Sequence, residues 1–165
     1  MKISLLALFL SASASANWFT GVGEFSYPHE IAMVGYADEA GCREDGGKWE
    51  DEFCFFSVED SVKVEFTDAQ AMEYYVTVDI LSTNAHTCSF EGLAKWVGPL
   101  TLVASSETDD WQEGENGEEG KFVPVTCEVT VKYLDGNRVN VSNNGKCSNF
   151  CGARAMLEIE EAKRK

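Results

Sequence analysis

His86 and Cys88 stand two residues apart, the spacing that puts both side chains on one face of a β-strand. A thiol beside an imidazole is the beginning of a nucleophilic pair, provided the thiol is free and its pKa is low. The start of the chain argues against a free thiol. Met1-Lys2, an apolar run over residues 3–10 broken only by Ser4, and the small residues Ser11 to Ala16 have the order of a secretory signal peptide, with cleavage expected after Ala16. The six cysteines (Cys42, Cys54, Cys88, Cys127, Cys147 and Cys151) all follow it. An even count in an exported chain reads as three disulfides. Oxidation would take Cys88 out of the chemistry and leave His86 as a hydrogen-bonding residue at a strand end.

Other chemistries find few of their parts. A serine triad needs a base, only His29 and His86 are available, and no Gly-x-Ser-x-Gly is present. Zinc would need paired Cys-x2-Cys knuckles or more histidines. With 28 acidic residues in the chain, close carboxylate pairs arise from abundance alone, so a carboxylate-based hydrolase is the least favoured function. No glycine loop is suited to cradle a phosphate. The expectation is a protein with no catalytic residues, no metal and no cofactor.

The acidic residues themselves are the more informative signal. The net charge is −15. It repels nucleic acid phosphate and anionic membrane surfaces and attracts basic proteins. Residues 108–120 concentrate it, with Asp109, Asp110, Glu113, Glu115, Glu118 and Glu119 among three glycines. This composition cannot bury apolar surface and predicts a mobile loop. Asp109, Asp110, Glu118 and Glu119 are the candidate contacts to a basic partner. The spacing does not fit an EF-hand calcium loop.

Cys42 and Cys54 enclose Gly46-Gly47 and are expected to pair, closing a loop worth about 3 kcal/mol. Cys88 and Cys127 each fall on the apolar face of a strand, and a bridge between them would tie two strands of the core. Cys147 and Cys151 would then close a single turn. The rival arrangement crosses these pairs, joining Cys88 to Cys151 or Cys147. Arg154 follows in Cys151-Gly152-Ala153-Arg154-Ala155 and is expected to act as a structural clamp, its planar fork holding the last strand to the cysteine loop.

The elements that must position these residues are strands. Val62, Val64 and Phe66 alternate with Lys63 and Glu65. The same period of two recurs over residues 72–80, 88–96, 100–102, 127–133, 139–141 and 153–159. Gly98-Pro99 and Asp135-Gly136-Asn137 are hairpin signals. The pattern predicts a mainly β protein: an antiparallel meander of about seven strands, closing as a small barrel or a sandwich. Residues 25–41, with Pro28 near the start and Ile31, Val34 and Ala37 near helical spacing, are read as a short N-terminal helix. The resulting organisation is a signal peptide (1–16), an N-terminal segment with a disulfide loop (17–57), a β-domain (58–160) and a solvated tail (161–165). After the signal, no run approaches the roughly 20 apolar residues of a membrane helix, so membrane insertion is not expected. Asn140-Val141-Ser142 is a glycosylation sequon.

Three stretches carry a family resemblance: Asn84-Ala85-His86-Thr87-Cys88-Ser89-Phe90-Glu91-Gly92, then Cys127-Glu128-Val129-Thr130-Val131, then Cys147-Ser148-Asn149-Phe150-Cys151-Gly152-Ala153-Arg154-Ala155. Together they resemble a small exported bacterial domain found in periplasmic proteins, some of them lysozyme-inhibitor-like. The likeness covers residues 58–157, and Cys-x3-Cys-Gly-Ala-Arg is its most specific element. The Cys42–Cys54 loop with Gly-Gly-x-Trp is similar to short N-terminal disulfide loops of other exported bacterial proteins. The resemblance implies a secreted or periplasmic location and an all-β domain. The loop motifs of the inhibitor families do not map onto this chain, so no inhibitory residue is carried over. Two functions lead: an exported, non-catalytic envelope or secreted protein, and an acidic binding or inhibitor module for a basic partner such as a lysozyme-type wall hydrolase.

Overall fold

The structure, a computed structural model, describes residues 21–68, 72–113, 119–152 and 155–165. The signal-peptide residues, Glu118 and Arg154 lie outside the described residues, so the clamp is left without a structural account. Among the described residues nine strands form one antiparallel sheet: β1 (Gly23–Met33), β2 (Lys48–Glu50), β3 (Phe53–Asp68), β4 (Glu73–Ser82), β5 (His86–Gly98), β6 (Thr101–Gln112), β7 (Lys121–Tyr133), β8 (Arg138–Asn143) and β9 (Ile159–Arg164). From β3 to β9 each strand pairs with the next, and β1 pairs with both β3 and β9. The sheet therefore curls into a nearly closed ring, a barrel rather than a sandwich. Its joint at β9 is short: three residue pairs to β8 and two to β1.

The expected helix over residues 25–41 is instead mostly strand. Phe25, Tyr27, His29 and Ile31 share one face of β1, and Phe25 and Ile31 are buried. Their period of two matches β3, against which β1 runs in unbroken register from Gly23↔Val64 to Met33↔Cys54. Pro28 is tolerated because β1 has β9 beside it only at Phe25 and Ser26, leaving an edge from Tyr27 onward. The one α-helix among the described residues, α1 (Glu39–Glu44), starts where Asp38 accepts the Gly41 amide at 2.9 Å. It stops at Gly46, whose φ of +84° suits glycine. Residues 23–33, 48–50 and 53–57 thus take part in the sheet, with α1 and its flanking loops between them.

The expected tail is also a strand. Ala162 is fully buried, and Arg164 lies over the Phe25 ring at 4.7 Å and donates to the carbonyls of Val22 and Gly136. Lys165 pairs with Glu24 and Glu59. The final strand begins at Ile159 rather than at residue 153.

Alternating residues of β3 to β8 fill the barrel. Val64, Val78, Phe90, Leu102, Val131 and Val139 are fully buried, each worth about 1.5–3 kcal/mol relative to exposure. One end is floored by a chain of rings: Phe66 on Tyr74 (4.7 Å), Tyr74 on Trp96 (5.8 Å), Trp96 on Tyr133 (5.4 Å) and Tyr133 on Phe25 (5.9 Å). Tyr133 donates its hydroxyl to the Gly21 carbonyl at 2.6 Å, and burial pushes its phenol pKa up.

The disulfides are Cys42–Cys54, as expected, and Cys88–Cys151 with Cys127–Cys147. The crossed arrangement is the one that forms. Cys88 on β5 and Cys127 on β7 are separated by β6, roughly 10 Å of sheet, and Cys127 pairs with Ser106, level with Gly92 rather than Cys88. No disulfide spans that separation. Cys147 and Cys151 flank a 3-10 turn (Ser148–Phe150) and reach to different strands.

Candidate functional site

The end of the barrel opposite the aromatic floor is where the sheet divides. β5 and β6 pair only as far as Leu93↔Ser105, and β7 and β8 only as far as Val129↔Asn143. β6 and β7 continue together to Gln112↔Lys121. Residues 107–112 and 121–126 therefore form a two-stranded arm that projects past its neighbours. Gly92 sits at the division; a Cβ there would lie 2.6 Å from the Ser105 carbonyl, so only glycine permits the approach of the two strands.

Within residues 108–120, where a mobile loop is expected, residues 108–112 are strand and belong to this arm, and residues 114–118 lie outside the described residues. Asp109 pairs with Pro124, Asp110 with Val123 and Trp111 with Phe122. Aromatic and β-branched cross-strand pairs supply what the acidic composition lacks. Trp111 and Phe122 meet edge to face at 5.1 Å, and the Trp111 indole packs onto Gly120, where a Cβ would collide with it. Both rings remain open to solvent, Trp111 at 50% and Phe122 at 64%.

The two faces of the arm differ. Segment 147–152 lies as a plug beside the inner face. Cys147 is bonded to Cys127 on β7, and Cys151 to Cys88 on β5. The Gly152 amide donates to the Thr87 carbonyl at 2.7 Å, and Phe150 meets Phe90 edge to face at 5.3 Å. Ser148 donates to Asp110 at 3.2 Å and Asn149 to Thr108 at 3.4 Å, tying plug to arm. The outer face carries Glu107, Asp109 and Trp111 from β6, opposite Thr126, Pro124 and Phe122 from β7. Thr126 donates to Glu107 at 3.0 Å.

Of the four acidic candidates, Asp109 is exposed on the outer face and Asp110 is turned to the plug. Glu119 is exposed beside the arm's tip, and Glu118 is outside the described residues. Trp111 and Phe122 were not among the candidates. Their signal was two aromatics flanking a Gly-rich acidic stretch, the pattern of a hairpin stem.

A second polar cluster is structural. Asp60 is the one buried charged residue among those described, 4% exposed. It accepts the Leu81 amide at 2.9 Å, while His29 Nε2 donates to the Leu81 carbonyl at 3.1 Å and His29 Nδ1 lies 3.7 Å from the Asp60 carboxylate. The β3–β4 ladder stops at Ser61↔Asp79, and these two side chains serve the backbone just beyond it. Burial raises the Asp60 pKa; the Leu81 amide and then His29 oppose that rise. His86 lies near Gly152, and its neighbour Cys88 is oxidised, so the thiol–imidazole pair does not exist.

Comparison with family models, characterised proteins and solved structures finds no match to this chain. The arm with its outward rings and carboxylates is therefore the candidate site on geometry alone. Among the described residues no three potential metal ligands converge. Three disulfides point to an oxidising compartment, and none of the described helices is long and apolar enough to cross a membrane.

Proposed function

We propose that this chain is an exported, non-catalytic binding module that presents the β6–β7 arm to a basic protein, a lysozyme-type wall hydrolase being the partner class that fits. The observation that carries this reading is the outer face of the arm: exposed Trp111 and Phe122 beside the carboxylates of Glu107 and Asp109, raised beyond the barrel on a ribbon braced from behind by a doubly disulfide-bonded plug. Exposed aromatics supply contact area at low entropic cost, and the net charge of −15 steers a cationic partner toward the molecule. The filled barrel leaves the recognition to the surface.

The test is binding to a basic lysozyme by calorimetry across a salt series. Screening acts over about 10 Å at 0.1 M salt, so association should weaken steadily as salt rises. No binding at low salt, or binding unaffected by salt, would overturn the reading.

A further inference from the structure

We infer that the outer face of the arm seats an arginine side chain of its partner, with the guanidinium on Trp111 and Asp109 as its counter-ion. This rests on the reading of the arm as the binding face for a basic protein. It replaces a diffuse acidic attraction with a single seat.

Four features of the arm lead there. Asp109 and Trp111 are two residues apart on one strand face, roughly 6.6 Å along the strand, which is the span a planar guanidinium needs to stack on a ring and still reach a carboxylate. Asp109 has no ion-pair partner among the described residues, whereas Glu107 is engaged by Thr126 and Asp110 by Ser148. Gly120 packs under the Trp111 indole and fixes its orientation, with half of the side chain left open. Pro124, opposite Asp109, extends the apolar floor. Tryptophan is the strongest aromatic partner for a cation, and arginine, planar and weakly hydrated, is the cation that both stacks and pairs with a carboxylate bidentately.

The experiment measures affinity for one basic lysozyme in three forms: native, with lysines dimethylated so that their charge remains, and with arginines blocked by a dicarbonyl reagent. The chain is used as wild type and as W111A, W111F, D109N, D110N and G120A. W111A and D109N should each weaken native binding roughly 3- to 30-fold, the range of a cation–π contact or a charge-assisted pair. W111F should lose less than W111A. G120A, which removes no charge, should weaken binding by displacing the indole, and D110N should stay within about twofold. Arginine blocking should abolish the difference between wild type and W111A, and lysine dimethylation should preserve it. Melting temperatures close to wild type for W111A and W111F would establish that these variants fold.

Salt-sensitive binding in which W111A and D109N behave like D110N overturns the arginine seat and leaves the basic-partner reading standing. Absence of salt-sensitive binding by the wild type overturns both. Binding of a neutral wall oligosaccharide that shifts tryptophan fluorescence in wild type and not in W111F would replace the arginine by a sugar ring.

Discussion

Removing the Cys88–Cys151 bridge with the double variant C88A/C151A should cost more stability than removing either other disulfide. The bridge closes a loop of 63 residues, against 20 for Cys127–Cys147 and 12 for Cys42–Cys54. In the chain-entropy model these loops are worth about 4.3, 3.3 and 2.8 kcal/mol at 25 °C. The Cys127–Cys147 loop lies inside the longer one, which shortens its effective length to 63 − 20 = 43 residues while the inner bridge is intact. The outer bridge then contributes about 4.0 kcal/mol, still the largest of the three. For a domain of this size that is a fall in Tm of roughly 8–16 °C. Calorimetry or urea unfolding of the three double-alanine variants reads the order directly. Equal or greater loss in C42A/C54A would refute the argument, because loop length could then not be what ranks them. A Cys127–Cys147 variant that melts first would implicate the packing of the plug instead.

Asp60 yields a pH prediction. Its pKa in the folded state is raised, mainly by burial, so the folded chain holds that proton more tightly than the unfolded one, and the stability this confers below the unfolded pKa is lost as pH rises through the folded value. Urea midpoints of wild type should therefore fall relative to D60N as pH rises from about 4; a difference independent of pH, or one of opposite sign, would contradict this. Asp60→Ala, which leaves the Leu81 amide without its acceptor, should cost about 1–3 kcal/mol at neutral pH, read from the same unfolding curves. Tyr133→Phe removes the hydrogen bond to Gly21 and keeps the ring stack, so its cost should be about 0.5–1.5 kcal/mol, with the tyrosine absorbance of the most resistant phenol lost on alkaline titration.

The strands with regular alternation were legible in the sequence because one face of each is sealed in the barrel. Val62 and Val64 on β3, Val76 and Val78 on β4, and Val129 and Val131 on β7 all point inward as their period requires. β1 was not legible. Its inward residues include Tyr27 and His29, only partly covered, while Pro28 and the spacing of Ile31, Val34 and Ala37 favoured a helix. Its partner β3 decides the matter, and that is a long-range fact. The same holds for the arm: local composition says that Asp109 and Asp110 cannot build a core, but a hairpin stem needs only cross-strand partners, and Val123, Pro124 and Phe122 lie across the intervening acidic stretch. Cysteine pairing depends on which strands are neighbours, so the nearby Cys42 and Cys54 could be matched from spacing and the other four could not.

The nesting of the two long disulfides has a consequence for how the molecule is made. A chain that emerges N-terminus first presents Cys42 and Cys54 together with β1 and β3, so that corner can be oxidised and paired while the rest is still arriving. Cys88 and Cys127 come next in chain order, ahead of their true partners, Cys151 and Cys147. Oxidation in order of appearance would join Cys88 to Cys127, and the plug could not then reach its seat. The native pattern requires that the two thiols wait or that the early bond be reshuffled, which without a catalyst takes seconds to hours. Should Cys88 and Cys127 join first, maturation of the chain requires thiol–disulfide isomerisation, and the yield of native chain would then follow the isomerase activity available to it.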